Sequence, residues 1–187
     1  MTIGYYPGCS QTGTAKQYDE SLRGVCRALG IDLAEIDDWN CCGATAAHNL
    51  NRKLSVALPA RNLALAEKQG LDELLVPCAA CYSRLMAGQH EFLQDAALNK
   101  EIPEIIEMPL AGSTRIFNVL EFARDNVAPL LKEKVKRQLN KKVACYYGCL
   151  LVRPPQLVRQ ERHEDPQTME EIMKLIGAEP IDWAFKT

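Results

Sequence analysis

Thr2-Ile3-Gly4-Tyr5-Tyr6-Pro7-Gly8-Cys9 stands at the start of the chain. Its first five residues, short, β-branched and aromatic, read as a strand that Pro7-Gly8 ends in a tight turn, with Cys9 just past the strand's end. Apolar residues then recur at helical spacing over 17–29, at Leu22, Val25, Cys26 and Leu29, and Gly30 stands where a helix C-terminus favours a left-handed residue. Strand, loop and helix make one α/β unit. Residues 31–36 read as a second strand, 37–40 as a loop, and Cys41-Cys42-Gly43 as its tip, opening into a helix over 44–50. Residues 52–69 are rich in Ala and Leu and read as a helix, with a break expected near Leu58-Pro59 because an interior proline removes a hydrogen bond. Leu74-Leu75-Val76 reads as the next strand, Pro77-Cys78-Ala79-Ala80-Cys81 as the turn at its C-terminal end, and 82–89 as a helix. Residues 114–126 and 128–139 read as two further helices, since Ile116, Phe117, Leu120 and Ala123 share a helical face.

Alternating strands and helices predict an α/β fold with a parallel sheet covered on both faces, whose binding groups collect at the C-terminal ends of the strands. All three cysteine groups fall in such loops. The spacing Cys-x31-Cys-Cys-x35-Cys-x2-Cys, formed by Cys9, Cys41, Cys42, Cys78 and Cys81, is therefore read as one metal centre. Thiolate sulfur suits both zinc and iron–sulfur clusters, and a closed zinc site and a cubane cluster each take about four protein ligands. Adjacent Cys41 and Cys42 reach a single small tetrahedral centre only with strain, whereas a larger cluster can use neighbouring thiolates on different irons. A structural zinc site using four of the five stays as the alternative.

Val143-Ala144-Cys145-Tyr146-Tyr147-Gly148-Cys149 resembles the opening, with Gly148-Cys149 over Gly8-Cys9. Residues 169–177 stand for the first helix and its Gly30, and Ile181-Asp182-Trp183 for Asp37-Asp38-Trp39. The expected organisation is a complete cysteine-rich unit over 1–141 and an incomplete, pseudo-symmetric second copy over 142–187, as in a fragment, a natural split or an incomplete sequence. Residues beyond about 142 are expected to lean on the first domain or on a partner.

Gly8-Cys9, Cys41-Cys42-Gly43 and Pro77-Cys78-Ala79-Ala80-Cys81 resemble the CCG, or cysteine-rich, domain. That module occurs twice in the B-type component of heterodisulfide reductase and, as variants, in glycolate and lactate oxidising iron–sulfur proteins and some succinate dehydrogenase subunits. The compact Tyr-Tyr-Pro-Gly-Cys-Ser opening at residue 5 is nearer the B-type component of heterodisulfide reductase. The resemblance implies a noncubane [4Fe–4S] cluster on Cys9, Cys41, Cys42, Cys78 and Cys81, with Cys149 as the first ligand of an incomplete second site. It further implies reduction of a disulfide, coenzyme M–coenzyme B or another, between two such clusters. The implied partners are a C-type subunit with two conventional [4Fe–4S] clusters and an A-type subunit carrying flavin and iron–sulfur centres. The rival readings are the electron-transfer subunit of a glycolate or lactate oxidase-type complex, and a non-catalytic, metal-stabilised interface module.

Among the other candidates, Cys26 lies on an apolar helix face and reads as core, and Cys145 aligns with Tyr5 in a strand. Gly43 is read as a residue whose missing side chain lets backbone N–H groups approach a cluster. His48 could donate a proton near the cysteines, but reads as satisfied or exposed; His90 and His163 carry no motif. The run 132–142 holds six basic residues and one acid, a solvated helix face or a surface that docks a partner subunit. A net charge of −2 and the scattered Tyr5, Tyr6 and Tyr18 argue against nucleic acid. No apolar run reaches membrane-spanning length, no secretory signal is seen, and eight cysteines without one fit a reducing cytoplasm.

Overall fold

A computed structural model describes residues 1–44, 47–158 and 162–187. The chain separates into two compact units, Met1–Asn118 and Val119–Thr187.

The first unit is α/β. Its strands are β1 (Thr2–Tyr5), β2 (Asp32–Glu35), β3 (Glu73–Leu75) and β4 (Arg115–Phe117), all parallel and ordered β2-β1-β3-β4. Ile3 and Tyr5 on one face and Leu74 and Leu75 on alternate faces are all buried, so the sheet is covered on both sides, as parallel sheets are. Between the strands run α1 (Gly8–Thr12), α2 (Lys16–Leu29), α3 (Ala47–Leu50), α4 (Arg52–Lys68), α5 (Ala79–Gln94) and α6 (Ala96–Ile106). Gly30 ends α2 in the left-handed conformation, its N–H bonded to the Arg27 carbonyl while the Ile31 N–H reaches that of Cys26. Cys26 is buried in the core, as its helix face predicts. Arg23 on α2 bridges Asp19 (2.8 Å) and Glu35 of β2 (2.7 Å) and lies over the Tyr5 ring, while the Tyr5 hydroxyl donates to Asp19.

Three expectations are corrected. No break occurs near Leu58-Pro59: α4 runs continuously from Arg52 to Lys68 with Pro59 inside and buried. The ring fits because α5 presents Gly88 opposite it; a Cβ there would sit 2.5 Å from Pro59 Cγ. The helix pair meets where one partner has no side chain. Phe92, Leu98 and Ile102 close the cluster around Val56, Ala57 and Ala60. The expected helix over 114–126 begins instead as β4, whose Ile116 and Phe117 pair with Leu74 and Leu75; only then does α7 (Val119–Phe122) start, continued by a π-helical turn (Ala123–Val127) and α8 (Ala128–Lys134), so the helix expected over 128–139 stops at Lys134. Of the helix expected over 44–50 the described part is α3; Thr45, Ala46 and the His48 side chain lie outside the described residues.

In the second unit β5 (Lys142–Val143) pairs in parallel with β6 (Glu179–Pro180), joined through a 3-10 turn (Cys149–Leu151) and α9 (Thr168–Leu175). Its core joins Leu120, Cys145, Tyr147 and Val152. Tyr147 donates to buried Glu170 (2.5 Å), and Lys186, 6% exposed, ion-pairs with Asp165 and Glu170. Gly177 adopts the left-handed conformation of Gly30 (φ 77° and 74°), and the Ala178 N–H to Met173 carbonyl bond has the form of the Ile31 to Cys26 bond. Glu179 N–H bonds the Lys141 carbonyl as Asp32 N–H bonds that of Met1. Trp183 follows Gly177 by fewer residues than Trp39 follows Gly30, and its indole N–H goes to the Cys145 carbonyl.

Candidate metal centre

β1 lies between β2, which follows it in the chain, and β3, reached by the long connection through α3 and α4. Strand order therefore reverses around β1, and the loops at the C-terminal ends of β2, β1 and β3 open there side by side, the place where open α/β sheets bind their ligands. Each loop carries cysteines. Cys9 is the second residue of α1, Cys41 and Cys42 lie in the loop after β2, Cys78 caps the N-terminus of α5 and Cys81 is in its first turn.

The sulfurs of Cys42 and Cys81 are 3.3 Å apart, although 39 positions separate them in sequence. Cys78 and Cys81 lie near enough to perturb each other's ionisation. The Cys41 sulfur receives the Gly43 N–H at 3.5 Å. All five cysteines thus lie at one end of the sheet, graded from exposed Cys9 and Cys41 through half-buried Cys78 to buried Cys42 and Cys81. Among the described residues no group of three or more His, Cys, Asp or Glu side chains is positioned to hold a metal ion.

Hydrogen bonding divides the protons. Donation from Cys81, with backbone N–H groups, draws Cys78 down to about 5 against the opposing effect of burial. The contact with the Cys81 thiol and the Ala44 N–H draw Cys42 down to about 7. Cys81, flanked by two thiolates and buried, keeps its proton far above the usual thiol range. At Cys41 the Gly43 N–H pulls downward, but burial and the Cys42 and Cys9 charges outweigh it, and the balance is upward. Burial pushes the Tyr6 phenol up, reinforced by the charges of Cys42, Cys81, Cys41 and Cys9, beside which it lies. Trp39 meets the Tyr6 ring edge-on at 5.5 Å.

Several residues that sequence reasoning passed over hold this arrangement. Ser10 Oγ lies 3.7 Å from Cys78 Sγ. Gly8 has φ +66°, and a Cβ on it would stand 2.9 Å from Cys81 Sγ, so only glycine lets α1 come this close to the sulfur. The Cys41-Cys42 loop is clamped through Asn40. Fully buried Asn62 on α4 accepts the Asn40 N–H (2.9 Å) and donates to the Asn40 carbonyl (3.0 Å) and the Leu58 carbonyl (3.2 Å). Tyr6 donates to the same Asn40 carbonyl at 2.8 Å, and Arg61 donates to the Asp38 carbonyl and to Asn40 Oδ1. Asn62 did leave a signal, an amide within the Ala- and Leu-rich stretch Leu58 to Ala66, but nothing in the sequence named its partner. Gly43 serves the turn: at φ +77° a Cβ would collide with Leu58 and Ala47, and its N–H reaches Cys41 Sγ.

Cys149 is exposed at the start of the 3-10 turn of the second unit, and Cys145 is buried in that unit's core.

Residues 3–86 match the cysteine-rich domain family designated CCG. Over nearly its whole length the chain is also similar to larger redox-complex subunits. It is 33% identical to the 8-methylmenaquinol:fumarate reductase membrane anchor subunit of Wolinella succinogenes, across 96% of this chain and 63% of that protein. It is 27% identical to the B-type component of the ferredoxin:CoB-CoM heterodisulfide reductase of Methanosarcina mazei (98% and 63%) and 29% identical to a protein of Archaeoglobus profundus described as like that same heterodisulfide reductase component (96% and 62%). The chain therefore spans a little under two thirds of the length of these relatives. No helix among the described residues is long and apolar enough to cross a membrane.

Proposed function

We propose that this chain is the iron–sulfur subunit of a heterodisulfide reductase-like oxidoreductase. In this reading a noncubane [4Fe–4S] cluster is held by Cys9, Cys41, Cys42, Cys78 and Cys81, and electrons from partner subunits pass through it to a disulfide. The observation that carries the reading is the gathering of all five cysteines of a CCG domain at one end of the parallel sheet, with two thiols already drawn toward thiolate. Five soft donors, two of them adjacent, suit a multi-iron cluster better than one tetrahedral ion.

When bound, such a cluster supplies electron transfer at thiolate-ligated iron. The protein's residues do the rest. Loading requires the Cys81 proton to leave, because metal ligands must be deprotonated. The Ser10 hydroxyl and the Gly43 N–H donate toward sulfur, which tunes a cluster's potential. Fully buried Tyr6, beside the cysteines, would line the protein side of such a cluster.

The matching helix ends and strand register support reading 1–141 as a complete CCG domain and 142–187 as the start of a second, with Cys149 as the first ligand of a site that other residues must complete. C-type and A-type subunits, a disulfide substrate and a cytoplasmic setting belong to the same proposal. A second reading, an electron-transfer subunit of a quinol:fumarate reductase-type complex, is favoured by the 33% identity to the Wolinella protein.

Anaerobic reconstitution tests the proposal. About four irons and matching sulfide per chain support it, and one zinc per chain with no iron uptake removes it. With the complete complex, viologen-driven reduction of a disulfide supports the first reading; fumarate reduction without disulfide turnover supports the second.

A further inference from the structure

The second unit carries a feature that the cysteine cluster does not use. Residues 135–140 form a loop strapped across the end of α9: the Leu139 N–H bonds the Ile176 carbonyl and the Asn140 N–H bonds the Gly177 carbonyl, both at 2.9 Å, while Gln138 packs on Gly177. The strap holds open a groove of about 380 Å³ lined by Val135, Lys136, Arg137, Gln138, Leu139 and Ile176. Leu139 is 45% exposed at its rim.

The charge around this groove is one-sided. Lys132, Lys134, Lys136, Arg137, Lys141 and Lys142 are all exposed, against one acid, Glu133, in a chain whose net charge is −2. Part of the excess has a local explanation. Lys132 and Lys134 occupy the last turn of α8, where cations complement the helix dipole, and Lys142 lies 3.9 Å from Glu179. Lys136, Arg137 and Lys141 have no such account: among the described residues none of the three has an ion-pair partner. Three exposed, unpaired cations beside a pre-formed apolar groove make a surface complementary to carboxylates flanking an apolar side chain.

We propose that this groove docks an acidic segment of a partner protein, one apolar side chain entering between Val135, Leu139 and Ile176 and carboxylates meeting Lys136, Arg137 and Lys141. A concave groove accepts a protruding side chain, whereas a lipid surface is met by protruding apolar groups. The segment 132–142 contains no aromatic residue on which a nucleobase could stack. Charge complementarity of this kind speeds encounter and selects the partner, as a transient redox contact requires. The inference stands whether or not the cysteines hold a cluster.

The test uses the full chain and a fluorescein-labelled peptide of alternating glutamate and leucine, with an all-glutamate peptide of equal charge, an anionic phospholipid vesicle and duplex DNA as comparators. The alternating peptide binds, weakens about tenfold in Lys136→Glu/Arg137→Glu, and weakens as salt rises past the point where the screening length falls below about 8 Å. Lys141→Glu alone weakens it less, and both variants keep the wild-type circular dichroism melting curve because the side chains are exposed. Failure of the peptide to bind overturns the proposal. So does equal binding of the all-glutamate peptide, which would mean that the groove takes no side chain. Vesicle or DNA binding as tight as the peptide's, and equally lost in the double variant, overturns it in favour of a general polyanion surface.

Discussion

Replacing Asn62 by Leu, nearly the same size, probes the clamp on the cysteine loop without opening a cavity. The substitution removes one bond accepted from the Asn40 N–H and two donated to the Asn40 and Leu58 carbonyls. The two carbonyls keep other donors, Tyr6 Oη at 2.8 Å and Asn40 Nδ2 at 3.1 Å, so each loses only a net bond worth about 0.5–1.5 kcal/mol. The Asn40 N–H is left with no partner, at about 1–3 kcal/mol if fully dry. Asn40 is only half-buried, so water recovers part of that, and the total comes to about 2–4 kcal/mol. For a unit of this size such a loss lowers the melting point by roughly 10 °C. Urea unfolding of the metal-free protein measures the stability. Anaerobic iron titration measures the second consequence, a fall in iron bound per folded chain because Cys41 and Cys42 are no longer held opposite Cys9 and Cys81. A variant within about 0.5 kcal/mol of wild type that still binds full iron would refute the clamp. Loss of stability with iron binding unchanged would leave Asn62 a packing residue alone.

Cys42→Ser is expected to lower iron content and change the visible and EPR spectra, whereas Cys26→Ala keeps full iron at a modest stability cost, since Cys26 is a buried hydrophobe in α2. The reverse pattern in iron analysis would remove Cys42 from the ligand set. Gly8→Ala and Gly30→Ala both force a side chain into a left-handed conformation, at about 1 kcal/mol each. Only at position 8 does the Cβ meet sulfur, at 2.9 Å; at position 30 nothing lies within 4 Å. Iron binding should therefore fall in the first and hold in the second, and equal effects would refute the close-approach argument. In the metal-free protein the thiols of Cys78 and Cys42 sit below their unfolded value, so their stabilisation is complete above the unfolded thiol pKa of 9.0 and is lost as pH falls through about 7 and then about 5. Cys81 is raised, so the stability it contributes is present below 9.0 and declines as pH climbs above it. Urea midpoints across pH 5 to 10 should accordingly rise toward neutral and mildly alkaline pH and then turn down; a flat profile would refute the proton sharing among these three sulfurs.

The cysteine spacing, the three strands that end beside it and the Gly30 terminus of α2 were legible in the sequence because each is a local signal. Strand, turn and cap are written in neighbouring residues, and the parallel alternation of strand and helix then brings the loops to one sheet edge. β4 was not legible. Ile116, Phe117 and Leu120 suit a helical face as well as a strand, and only pairing with β3, about forty residues away in the chain, selects the extended form. Nor was the continuity of α4, because the room for the Pro59 ring is made by the absent side chain of Gly88 on another helix. Within the site, the sequence by itself determined which sulfurs are available. Tertiary structure alone decided that Cys42 faces Cys81 and not Cys41, that Cys81 keeps the shared proton, and that Asn62 reaches across 22 positions to hold the loop. These follow from distances between strands and helices, which no local pattern of residues records.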